Sequence, residues 1–145
     1  MAMTLDDIIR TLDLIPHPEG GWYAEMHRIP DPHNHGHRSP GTAIYYALGA
    51  GDRSHWHRID ATEIWHYYAG APLELSLAVT EHSRVKIRTL GADLLAGQRP
   101  QLIVPPHHWQ AARSLGDWTL VGCTVSPGFE FSGFEMAAPG WSPGA

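Results

Sequence analysis

Beyond Gly21 the chain holds no stretch with the 3.6-residue apolar period of a helix, apart from one turn around residues 92–95. Glycine and proline interrupt it at short intervals, with 15 glycines and 12 prolines among 145 residues. Between the interruptions lie segments rich in β-branched and aromatic residues, at 22–28, 42–48, 55–58, 63–68, 73–79, 85–90, 101–104, 110–113, 118–125 and 131–136. Evenly punctuated short strands of this kind build a sandwich or a barrel. Segments 55–58 and 63–68 read as a hairpin around 59–62, and 73–79 pairs with 85–90 across 80–84. One helix precedes the strands. Thr4 caps it with Asp7 three residues on, Leu5, Ile8, Ile9 and Leu12 repeat at helical spacing, and Pro16, Pro18, Gly20 and Gly21 end it. The chain reads as a single domain over 1–145, its core at about 5–136 and residues 137–145 a loosely held tail.

A net charge of −5 with the 11 histidines neutral excludes a basic nucleic-acid surface and opposes attachment to an anionic membrane. No apolar run approaches the roughly 20 residues of a membrane span, and no secretory leader pattern opens the chain. The lone Cys123 cannot close an internal disulfide, so a cytoplasmic setting is expected. It lies in the apolar run 120–125 and reads as a buried hydrophobe. No nucleophile-elbow pattern occurs, and Gly20-Gly21 precedes a strand, so it is not a phosphate loop. Strand edges need covering, which a homodimer accomplishes.

The segment from Ser54 to His66 concentrates the candidate chemistry. Residues i and i+2 of a strand share a face, so His55 and His57 are expected to point together into one pocket, with Glu63 joining from the following strand. Two imidazoles and a carboxylate suit a borderline divalent metal such as Zn, Ni, Fe or Mn. The His-x-His spacing alone says little. The chain has three such pairs, and the other two, His33/His35 and His35/His37, fall in a polar loop over 31–41. Tyr23 and Glu25 share a strand face and are candidates to line the pocket mouth and move protons. His66 is a third candidate, although alternation turns it away from Glu63. Of Tyr45 and Tyr46, adjacent on one strand, one faces inward.

The spacing Gly51-x₃-His55-x-His57-x₅-Glu63-x₆-Gly70 resembles the first motif of the cupin superfamily, and Pro106-His107-His108-Trp109-Gln110 resembles the second. The phrases Pro18-Glu19-Gly20-Gly21, Ser54–His57, Glu63–His66, Pro72-Leu73-Glu74-Leu75 and Val104–Ala111, in that order, resemble its cupin-5 family, also called DUF985. The likeness runs from about Leu5 to Met136. It implies an all-β fold, a double-stranded β-helix or jelly-roll barrel with a short N-terminal helix. It also implies an internal pocket with His55, His57, Glu63 and Gln110 on its wall. Two departures stand out. Gln110 occupies the place of the usual final histidine ligand, and His107 replaces the turn glycine, which requires a left-handed backbone or a changed turn. The expectation is a metal-dependent enzyme acting on a small polar molecule. Two alternatives stay open: a metal-free isomerase similar to the cupin epimerases of nucleotide-linked sugars, and a non-catalytic small-molecule binding module.

Overall fold

The computed structural model describes residues 2–32 and 37–144. The loop histidines His33 and His35 lie outside the described residues. Helix α1 (Leu5–Leu12) begins at the expected capping box: the Thr4 hydroxyl accepts from the Asp7 amide, and the Asp7 carboxylate accepts from the Thr4 amide. It ends at Asp13, in the left-handed region at φ 53°, ahead of the Pro/Gly segment expected to stop it. Its apolar face packs on Ala47, Trp22 and Trp118, outside the barrel.

Among the described residues eleven strands follow: β1 (Ile15–Pro16), β2 (Trp22–Arg28), β3 (Thr42–Gly49), β4 (Arg53–Ile59), β5 (Thr62–Gly70), β6 (Leu73–Ala78), β7 (Lys86–Leu90), β8 (Gln101–Val104), β9 (Trp109–Ser114), β10 (Trp118–Ser126) and β11 (Phe134–Met136). They form two antiparallel sheets, ordered β1-β2-β3-β10-β5-β8 and β11-β4-β9-β6-β7. The architecture is a β-sandwich, one of the two forms the strand spacing allows, and agrees with the jelly roll that the cupin resemblance implies. The pairing of β6 with β7 matches expectation. The expected hairpin of β4 and β5 does not form. β4 pairs with β9 and β11, β5 pairs with β8 and β10, and Asp60-Ala61 is a corner that carries the chain between sheets. Periodicity marks both segments as strands, but it cannot distinguish a hairpin turn from a sheet-changing corner. No described helix is long and apolar enough to cross a membrane.

The segment after β11 is tied down where composition suggested a loose tail. The Ala137 amide donates to Trp56 carbonyl at 2.9 Å and the Gly144 amide to Glu81 carbonyl at 2.8 Å. The Trp141 ring lies 4.6 Å from that of Trp109.

Inward-facing Leu48, Trp65, Leu73, Leu75, Leu90 and Val121, all essentially inaccessible, fill one half of the space between the sheets. Tyr46 faces this core, while Tyr45 packs toward α1. The other half is hollow.

Candidate functional site

The hollow half is a cavity of about 380 Å³, within the size range of small-molecule sites. Ile44 of β3, Ile59 of β4 and Val125 of β10 form apolar walls, and Phe129, Phe131 and Phe134 stand at its side. Its polar floor is built by three chain segments.

The first is the 17–21 turn. The His17 amide donates to Gly21 carbonyl, the Gly20 amide donates back to His17 carbonyl, and Glu19 carbonyl accepts from the His55 amide at 2.8 Å. Gly20 sits at φ 109°, and a Cβ there would lie 1.9 Å from the Arg53 carbonyl oxygen. Only glycine allows the turn to lie this close to β4. The turn delivers Glu19 to the floor, with Oε2 2.7 Å from His57 Nε2. This contact is an ion pair whose geometry falls short of hydrogen-bond alignment, and the buried Ser54 hydroxyl is the other group acting on the Glu19 carboxylate. His17 comes with it, its Nδ1 accepting from the Glu19 amide at 3.1 Å.

The second segment is β4, which carries a bulge. Ser54 pairs with Ala112 and His57 with Gln110, so two residues, His55 and Trp56, face the single Ala111. The extra residue resets the alternation. His57 is buried and lines the cavity. His55 turns outward, and its Nε2 donates to Ala138 carbonyl at 3.0 Å. The i, i+2 argument therefore fails for this pair. The His57 Nδ1–H donates to His55 carbonyl at 2.8 Å, so both ring nitrogens are engaged.

The third segment pairs Glu63 of β5 with Gln110 of β9. Gln110 is wholly buried behind Glu63. Its Oε1 accepts from the Trp65 indole at 2.8 Å, and its Nε2 donates to Glu63 Oε1 at 2.8 Å. The indole N–H can only donate, so the amide oxygen must face it and the amide nitrogen must face Glu63.

Burial and charge set the protonation of these groups. Desolvation works against the His57 imidazolium, but the Glu19 carboxylate and, more weakly, Glu63 outweigh it and raise the ring to about 9. Burial pushes the Glu19 carboxyl up, yet the His57 charge brings it below its ordinary value. For Glu63 burial prevails over His57, and with Glu19 nearby the carboxyl rises to about 7. Burial lowers His17. At neutral pH the floor thus holds a Glu19⁻–His57⁺ pair and a Glu63 carboxyl poised between its two states.

These donors do not fit a metal centre. His55 faces the C-terminal segment, His57 has no free nitrogen, and the one amide oxygen of Gln110 belongs to Trp65. Among the described residues no group of three or more His, Cys, Asp or Glu side chains is placed to hold a metal ion. The expected set of His55, His57, Glu63 and Gln110 is divided: three members meet at the floor, Gln110 as a brace, and His55 does not join them. Tyr23 and Glu25 line the cavity from β2. His66 faces away, its Nε2 2.9 Å from the Thr124 hydroxyl and its ring stacked on Tyr68. Residue reasoning missed the roles of His17 and Glu19. The Pro18–Gly21 phrase belongs to the family pattern, but nothing in it shows that its carboxylate reaches a strand over thirty positions onward. His107 adopts the left-handed backbone its position demands, at φ 65°.

The family described as Cupin superfamily (DUF985) matches residues 6–137. No curated protein matches the chain. Among solved structures, the X-ray structure of a protein from Shewanella oneidensis is 36% identical, with a TM-score of 0.87 over 94% of this chain and 86% of that one. A hypothetical protein from Leishmania major is 29% identical, with a TM-score of 0.85 over 96% and 90%. Oxalate decarboxylase from Bacillus subtilis is 11% identical, with a TM-score of 0.61 over 83% of this chain but 29% of its own, a likeness of fold alone.

Proposed function

The chain belongs to the cupin superfamily, in the family DUF985, and on that premise we propose that its barrel cavity binds a small molecule and that Glu63 exchanges a proton with it. The observation that carries this reading is the Glu63 carboxyl itself. It is buried on the cavity wall, braced on one oxygen by Gln110, and held near neutrality by its surroundings. A general acid or base works best with such a balance. His57 is not the base: with both nitrogens engaged and its pKa raised, it serves as a fixed positive charge facing Glu19 and Glu63.

The test is exchange of carbon-bound hydrogen in D₂O, followed by proton NMR over a panel of small amines, polyols and carbonyl compounds. The expected result is exchange accelerated by the wild type and reduced at least ~100-fold by Glu63→Gln. Equal exchange by both proteins overturns the assignment. A binding module without turnover is the second reading, favoured by the locked state of His57, which removes the usual imidazole base from the site.

The metal-dependent reading is set aside on the donor geometry above; elemental analysis of protein purified without added metal is expected to give far less than one equivalent. The nucleotide-sugar reading lacks an anchor. Arg28, the one arginine lining the cavity among the described residues, already donates to Glu25 and to Phe129 carbonyl. The homodimer is proposed to form on the outer face of the six-stranded sheet, where Tyr68 and Ile103 are exposed. Sedimentation equilibrium tests it.

A further inference from the structure

The charges on the cavity wall are unequal. Among the described residues, Asp13, Glu19, Glu25, Glu63 and Glu130 supply five carboxyl groups, against which stand Arg28 and His57 as cations. Both cations are spent. Arg28 gives Nε and Nη2 to Glu25 at 2.8 and 3.1 Å and approaches Glu130 at 3.6 Å, and His57 faces Glu19. Among the described residues an anionic ligand therefore meets no free positive group and several negative ones. Independent of the charge count, Glu19 Oε2 is buried, on a side chain 7% exposed, and its one close partner, His57 Nε2 at 2.7 Å, is not aligned for a hydrogen bond, so the oxygen keeps capacity to accept. A carboxylate oxygen can only accept, so the group that completes it must donate. A buried carboxylate paired by charge but without an aligned donor gains from one more N–H, which a ligand can supply.

The walls point the same way. Phe129 and Phe131 meet edge to face with centroids 4.8 Å apart, and Phe134 lies 6.0 Å from each. The His17 ring closes the group at 6.2 Å from Phe131 and 6.1 Å from Phe134. Rings set around a void next to carboxylates suit a cation, whose charge is attracted to the ring faces.

We infer that the cavity takes an organic cation, a primary or secondary ammonium on an apolar body, its N–H groups directed to Glu19 and Glu63 and its body against the three phenylalanines. This inference rests on the proposed reading of the cavity as a ligand site and names the class of ligand.

Benzylammonium, benzyl alcohol and benzoate share one body and differ in charge, so they test it directly at pH 8. Binding is measured by calorimetry and located by the methyl NMR signals of Ile44 and Ile59, which line the cavity. Benzylammonium is expected to shift those methyls and to bind at least ~10-fold tighter than the alcohol, with benzoate weakest. Phe131→Leu, at a ring 51% exposed, keeps the fold and the apolar bulk. It is expected to weaken benzylammonium about threefold and the alcohol less. If the alcohol or benzoate shifts the same methyls with equal or tighter affinity, the cation is overturned while the ligand site stands. If none of the three shifts them, both readings fall.

Discussion

Along β3, β5 and β10 the inward positions Leu48, Trp65 and Val121 pack one half of the barrel solid, while Ile44, Glu63 and Val125 on the same strands border a void. The strands and the pleat are shared, so backbone geometry does not separate the halves. The side chains do. Leu73, Leu75 and Leu90 bring apolar bulk from β6 and β7 to the filled half, and each such burial contributes roughly 1.5–3 kcal/mol. The hollow half instead receives Glu19, His57 and Glu63, whose burial is tolerated only because each has a partner. Trp65 joins the two, its ring in the apolar core and its indole N–H fixing the amide that braces Glu63. The comparison teaches that the filled half is stabilised by contact area and the hollow half by charge pairing, and the two respond differently to substitution and to pH.

The largest effect is expected from splitting the ion pair. His57→Gln leaves the Glu19 carboxylate buried and alone, at a cost of about 3–5 kcal/mol, whereas His57→Leu combined with Glu19→Leu recovers most of it. Urea denaturation of the two variants checks this, and equal losses would show that the pair is not what holds the hollow half. Leu75→Ala, in the filled half, is expected to cost about 2–5 kcal/mol through the cavity it creates. Unlike His57→Gln, it leaves the Glu63 titration unchanged, as read by carboxyl carbon NMR.

pH separates the halves without mutation. His57 is raised from 6.5 when unfolded to about 9 when folded, so its stabilisation is complete below pH 6.5 and is lost as pH rises through 9. Between pH 7 and 9 stability is expected to fall by about 2 kcal/mol, and in the His57→Leu, Glu19→Leu variant only the smaller fall due to Glu63 should remain. Trp65→Phe strands the Gln110 oxygen in the interior at a cost of about 1–3 kcal/mol; it is expected to loosen the brace and raise the Glu63 pKa above about 7. Least affected is His55→Ala, which removes one exposed hydrogen bond and costs about 1 kcal/mol or less. It should leave the titrations of Glu63 and His57 where they are. A shift in either would place His55 at the site after all.

That last contrast marks how far the sequence could be read. The cap at Thr4, the strand segments, the glycine and histidine spacing toward Gly70, and the positions of Glu63 and Gln110 were all legible, since they depend on local periodicity and on a recognisable pattern. The difference between His55 and His57 was not. A one-residue bulge opposite Ala111 reverses the facing of everything before it, and a bulge leaves no period in the chain. Nor could the sequence distinguish a hairpin at Asp60-Ala61 from the corner that sends β4 and β5 into different sheets.

By itself, then, the sequence determined the strand-rich barrel, the family and the neighbourhood of the pocket, because apolar alternation and turn residues act over a few positions. Tertiary structure alone decided the chemistry of the floor. Glu19 reaches His57 only because Gly20 lets one turn lie against β4, and Gln110 became a brace, unavailable as a ligand, because an indole that can only donate took its oxygen. Both outcomes come from close approach between distant segments, and the role of a polar side chain is set by the partner that packing brings to it.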